Sequence, residues 1–222
     1  MSLTLVIGHK NYSSWSLRPW ILLKHLDEPF TEVVLPLYRD EFRTEIAKYS
    51  PAGRVPVLID GPLHIWDSLA IVEHLAEKTG RGWPKDRAAR AWARSVSAEM
   101  HSGFLALRSQ CPMNIRATGR RVEQTPDLLR DIARIDEIWC DSRRRFGRAG
   151  PWLLGDYSIA DAMFAPVVTR FNTYGMDLSP EARDYMQVTL ADPALREWSR
   201  AAAAETFRNP VTEAFGVPQA QA

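Results

Sequence analysis

The sequence predicts an α+β unit followed by an all-helical one. Residues 1–80 alternate strand-like and helix-like patterns in the order βαβαββα, and beyond Gly80 the strand signals stop. Between the two regimes, Gly80-Arg81-Gly82-Trp83-Pro84 reads as a linker. The expected division is residues 1–80, a link at 81–86, and 87–222.

Leu3–Ile7 is a short apolar run of strand length. Ser14–Leu26 carries Trp15, Leu17, Ile21, Leu22 and Leu26, nearer to a helical than a strand spacing. Glu28-Pro29 ends it, and Phe30–Leu37, rich in Val and Leu, reads as the second strand. Arg39–Lys48 is a short polar helix. Val57–Ile59 and Leu63–Trp66 flank Asp60-Gly61-Pro62, which predicts an antiparallel hairpin. Asp67–Lys78 follows as a helix, with Leu69, Val72, Leu75 and Ala76 on one face and Gly80 past its end. The second half reads as helices over Arg87–Ala117, Pro126–Phe146, Ile159–Thr173, Pro180–Leu190 and Pro193–Ala204. The tail after Asn209-Pro210 is expected to fray.

Composition narrows the function. Lys+Arg of 28 against Asp+Glu of 27 leaves no global field to gather nucleic acid or acidic lipid. Arg143-Arg144-Arg145 with Arg148 reads as a solvated helix end. Cys111 and Cys140 stand alone, with no neighbours at metal-ligand spacing, so no metal is expected. Two isolated cysteines suit a reducing compartment. The apolar start is too short for a signal-peptide core, and no run nears the ~20 residues of a membrane span. A cytoplasmic protein is the expectation.

Three segments carry chemistry. Ser13-Ser14-Trp15-Ser16-Leu17-Arg18 sets three hydroxyls at a helix start, where free N–H groups and the helix dipole favour anions. Alone, such serines serve as N-caps. Their place after the first strand of an α/β unit makes a ligand loop the stronger reading. Arg54-Val55-Pro56 precedes a strand; a trans proline there is ordinary, whereas a cis bond turns the Val55 backbone outward to pair with an extended peptide. Asp67-Ser68 opens a helix, either as a cap or as a subsite holding a carboxylate at Ser68 and an ammonium at Asp67. Ser158-Ile159-Ala160-Asp161 reads as a structural capping box. His64, His74 and His101 have no partner at useful spacing and read as structural. Arg170 has two readings, a buried ion pair with Asp161 or Asp136, or a clamp for a substrate carboxylate.

Together these segments resemble the glutathione S-transferase superfamily. The serine loop resembles the S-S-x-S-x-R loop of its zeta class, Ser50–Leu58 is similar to the loop ending in V-P-x-L, and Asp67-Ser68 to the acidic-Ser pair. Ser158–Asp161 is similar to the folding motif of the helical half. Trp15 replaces the cysteine of zeta loops, and Arg54 stands where glutamine is common. The resemblance implies a thioredoxin-like N-terminal domain, a helical substrate domain and a homodimer. It implies glutathione as co-substrate, held by Ser13, Arg54, Val55, Pro56, Asp67 and Ser68. The thiol is then activated by Ser13, with Ser14 second and Tyr12 third. The implied reaction is addition of glutathione to small apolar electrophiles. The alternatives are a cis-trans isomerase of the maleylacetoacetate type or a non-catalytic interaction module.

Overall fold

Residues 3–218 are described here by a computed structural model. Four strands form a mixed sheet in the order β2-β1-β3-β4. β1 (Leu3–Ile7) lies parallel to β2 (Phe30–Val34) and antiparallel to β3 (Val57–Asp60), and β4 (Leu63–Trp66) forms the outer edge. The central strand is apolar on both faces because both faces are covered. Leu3, Leu5 and Ile7 point into the main core, and Val6 points into a smaller one with Leu35, Ile46 and Val57. That split is the period-2 alternation of a strand. Helices α1 (Ser14–His25) and α3 (Ser68–Thr79) contribute to the main core; α2 (Glu41–Ile46) supplies Ile46 to the other.

The second half comprises α4 (Arg87–Ser102), α5 (Leu105–Gln110), α6 (Pro126–Phe146), α7 (Ile159–Tyr174), α8 (Pro180–Ala191), α9 (Pro193–Ala204) and the short α10 (Pro210–Glu213). α7 runs through the middle, buried on all sides except at Asn172. Its start is the expected capping box. Asp161 accepts from Ser158 N at 2.8 Å and Ser158 Oγ at 2.9 Å, and also from Leu153 N at 3.0 Å.

Several expectations are corrected. The predicted helix Arg87–Ala117 is two helices, because the backbone turns at Gly103 and Phe104 takes φ 58°. A Cβ at Gly103 would lie 2.8 Å from Glu99 O, so that close approach requires glycine. Pro112 follows soon after α5 ends. The second strand stops at Val34, two residues before Pro36, and the following helix is confined to Glu41–Ile46. Strand structure does not end with the first half, since β5 (Arg120–Arg121) pairs antiparallel with β6 (Val217–Pro218). Arg143 is no solvated residue; it donates to the carbonyls of Gly147, Gly150 and Trp152 and shapes the turn after α6.

The tail does not fray before residue 218. Glu205 accepts from Lys10 N at 2.6 Å and Asn11 N at 3.0 Å, and Phe207 stacks on His9 with centroids 4.5 Å apart. Glu213 receives hydrogen bonds from Tyr12 Oη at 2.6 Å and Asn114 Nδ2 at 2.9 Å, and pairs with Arg116. Burial works against the Glu213 charge, but these donors outweigh it and hold the carboxyl below its usual value.

Asp161 satisfies three buried donors, so Asp161→Ala should cost about 2–4 kcal/mol, the sum of a lost cap and orphaned N–H groups. Urea denaturation checks this; an unchanged midpoint would show that the box carries no such load.

Candidate functional site

The loop after β1 and the first turn of α1 carry the three serines at the C-terminal end of the interior strand β1. Ser13 is 6% exposed and occupies the N-cap position, yet makes no cap hydrogen bond. Its Oγ lies 2.7 Å from Ser16 Oγ, which in turn accepts from Gly8 N at 3.2 Å. Ser14 N is bonded to Tyr12 O and Leu17 N to Ser13 O, and neither Trp15 nor Ser16 N–H forms a backbone bond among the described residues. The helix therefore opens with donors available to an anion.

Tyr12 is not available in the same way. Its hydroxyl donates to Glu213 and accepts from Arg116 Nη2 at 2.8 Å and Asn209 N at 3.0 Å. Burial and the bond to Glu213 raise its pKa. Every position on that oxygen is occupied, two by the C-terminal segment and one by Arg116.

A cavity of about 320 Å3 is lined by Ser13 and Ser14 on one side and Leu37, Tyr38 and Phe42 on the other. A second, about 390 Å3, is lined by Pro56, Trp66, Asp67, Ser68 and His101. Trp15, Arg54 and Val55 border both, so the two hollows adjoin, and all six predicted ligand-binding positions and Ser14 line one or the other. The Val55–Pro56 bond is cis. Val55 lies ahead of the β3–β4 ladder, whose register begins at Val57↔Trp66. Asp67 caps α3 through Oδ1, which accepts from Leu69 N at 2.8 Å, and takes φ 76°. Ser68 is buried and its Oγ accepts from Arg18 Nη1 at 3.4 Å. A larger hollow of about 790 Å3 lies by the Arg81–Lys85 link and contains none of these groups.

Three guanidiniums stand behind this wall. Arg18 and Arg108 lie against the Trp15 ring, 4.3 and 4.6 Å from its centroid. Arg170 donates to Ser14 Oγ at 3.1 Å and to the carbonyl of Cys111. Neither Asp161 nor Asp136 pairs with it, which corrects the ion-pair expectation. Asp161 is spent on its capping box, and Asp136 on Ser179 N and Oγ. Among the described residues no carboxylate contacts Arg170, and burial lowers its pKa to about 10. Burial also lowers Arg18, well below its usual value, with Arg108 and Arg170 adding to the effect.

The histidines also have partners. His64 Nδ1 lies 2.9 Å from Tyr49 O and His74 Nε2 3.0 Å from Asp60. His101 Nε2 lies 3.3 Å from Asp67 Oδ2, its ring edge-on to Trp15. Sequence reasoning missed His101, Arg108 and the hydroxyl pair Ser13–Ser16. The serine spacing alone hinted at the last, since residues three apart share a helix face.

The α+β half thus gathers a serine cluster, a cis Val-Pro turn and an acid-serine helix start around these two hollows. Family models for the N-terminal and C-terminal domains of glutathione S-transferase match residues 12–78 and 115–201. A maleylacetoacetate isomerase of Rattus norvegicus is 30% identical over 178 residues, covering 75% of this chain and 77% of that protein. A probable maleylacetoacetate isomerase of Caenorhabditis elegans is 29% identical over 187 residues, covering 81% and 84%. A Burkholderia glutathione transferase homolog, solved with bound glutathione, superposes with a TM-score of 0.70 at 21% identity, covering 92% and 100%. The chain is a zeta-like member of the glutathione S-transferase superfamily.

Arg170→Met orphans the Cys111 carbonyl and the Ser14 hydroxyl but no carboxylate, so it should cost about 1–3 kcal/mol, where a broken buried ion pair would cost ~3–5. Thermal and urea melts decide it; a loss in the larger range would reveal a carboxylate partner.

Proposed function

We propose that this protein is a glutathione transferase of the serine type, adding glutathione to small apolar electrophiles in the cytoplasm. The observation that carries the reading is the relay at the head of α1. Gly8 N–H fixes Ser16 Oγ, which lies 2.7 Å from Ser13 Oγ; in this reading Ser16 is the donor of the pair, and the Ser13 hydroxyl hydrogen points into the cavity. In this reading residues 1–80 bind glutathione, 81–86 link, and 87–222 select the electrophile. Val55 pairs with the cysteinyl backbone beside Arg54 and Pro56, and Asp67 and Ser68 take the γ-glutamyl ammonium and carboxylate.

The energetics are adequate. Lowering a thiol from about 8.5 to ~6.5 needs roughly 2.7 kcal/mol of preference for the anion. The helix end contributes about 0.3–1 kcal/mol, or ~2 when partly buried. A hydrogen bond from Ser13 to the charged sulfur adds about 1.5–3 kcal/mol. Ser13 remains a hydrogen-bond donor throughout; the sulfur forms the new bond to carbon, and the leaving group or a proton from solvent completes the balance.

One observation favours a second reading within the same site. Arg170 is a buried cation lacking an acid and adjoining Ser14. A substrate carrying carboxylates would supply the missing charge, which suits a cis-trans isomerase of the maleylacetoacetate type. The isomerase names of the two relatives support it. Relative rates with neutral and dicarboxylate substrates separate the readings.

Ser13→Ala should lower kcat at least tenfold, as expected for about 1.4 kcal/mol or more of lost anion stabilisation, and should raise the pKa of bound thiol in an absorbance titration. An unchanged rate would transfer the role to Ser14. Ser68→Ala should raise KM for glutathione more than it lowers kcat; an unaltered KM would remove Ser68 from the γ-glutamyl end.

A homodimer belongs to this reading. Trp66 on the edge strand β4 is 45% exposed, an apolar group at an edge that a second copy would cover. Light scattering should give about twice 25.2 kDa; a stable monomer refutes it.

A further inference from the structure

His101 enters the candidate site from the opposite half of the chain. It sits in the last turn of α4, borders the cavity that contains Ser68, and places Nε2 3.3 Å from Asp67 Oδ2. Asp67 has committed its other oxygen to the N–H groups of Leu69 and Ala70. Oδ2 is therefore the oxygen that remains for an arriving cation, and His101 already touches it. We propose that His101 belongs to the γ-glutamyl subsite and couples binding of the ligand's ammonium there to release of a proton. The proposal rests on the reading that Asp67 and Ser68 receive the γ-glutamyl end of glutathione.

The charges around the ring set the direction. Asp67 faces it from the head of α3, Arg18 from α1 and Arg108 from α5. Arg170 on α7 stands behind both arginines, and on the α6 side Arg134 is paired with Glu99 of α4 itself. Burial lowers the imidazole pKa, Asp67 draws it back up, and Arg18 and Arg108 lower it again, leaving it below 6.5. Near neutral pH the ring is uncharged and lies beside the carboxylate, with Nε2 3.3 Å from Oδ2. Its Nδ1 is buried with no hydrogen-bond partner, so a proton added there finds no acceptor.

Protonated, the ring and the ligand's ammonium become two cations competing for one carboxylate oxygen, with two more guanidiniums nearby. Neutral, the ring holds Asp67 in place and leaves its charge to the ligand. Affinity is thus complete at neutral pH and falls as pH drops through the His101 value. Ligand binding lowers that value further and expels the proton.

The test uses S-methylglutathione, whose capped sulfur cannot titrate, measured by calorimetry from pH 5 to 7 in two buffers of different ionisation enthalpy. Wild-type protein should bind about fivefold more weakly at pH 5 than at pH 7, with proton release at the acid end, as a single coupled histidine requires. H101Q should bind without that slope or release. A flat wild-type profile, or an H101Q profile as steep as wild type, overturns the proposal. Should H101Q fail to fold, proton release by the wild type alone decides. Absence of S-methylglutathione binding at every pH would overturn the glutathione reading itself, a different outcome from binding that ignores pH.

Discussion

Helix α1 belongs to both halves of the molecule, and the rest of the structure depends on that. Every residue from Ser16 to Leu23 is buried. Its side chains pack on the sheet and α3 on one side and on α7 and α9 on the other, with Trp20 against both Phe30 and Trp198. The serine loop is simply the start of this shared helix. The two halves therefore cannot shift without moving the hydroxyls, and His101 from one half stays registered on the hollow that the other half lines. Interiors this closely packed transmit displacement rather than absorb it.

The same sharing governs the electrostatics. Arg18 from the first half and Arg108 and Arg170 from the second converge around Trp15, with Asp67 and Asp131 the acids that temper them. A buried positive surplus is costly for folding on its own. It becomes favourable when the hollow in front holds an anion, and both proposed occupants, a thiolate and a carboxylate-bearing substrate, are anions. Trp15, in place of a cysteine, gives two of these guanidiniums an aromatic ring to lie against where no carboxylate does so.

What could be read in advance was whatever chemistry is local. The alternation βαβαββα, the serine run, Val55-Pro56 and Asp67-Ser68 each declare themselves within a few residues, through periodicity, a hydroxyl cluster or a helix start. The Arg87–Ala117 break was misread because a helical pattern continues across Gly103, and only the approach to Glu99 O makes that glycine necessary. Ser14 and Arg170 are 156 residues apart, and Tyr12 and Asn209 are 197 apart. No spacing rule connects them. Asp161 and Asp136 looked like partners for Arg170 because each is acidic and near in the helical half, but caps had already claimed both. His101 looked inert for the same reason, since its partner lies on the far side of the linker.

The docking of residues 205–213 onto the first loop has a consequence for how the site comes into being. The loop holding Tyr12 and Ser13 leaves the ribosome well before Glu205, Asn209 and Glu213, with Asn209 at a separation of 197 residues from Tyr12. Until they arrive, the backbone N–H groups of Lys10 and Asn11 and the hydroxyl of Tyr12 lack these partners. The serine loop is thus finished only once residues 205–213 have been made, and a copy cut short before them lacks the clamp on its own first turn.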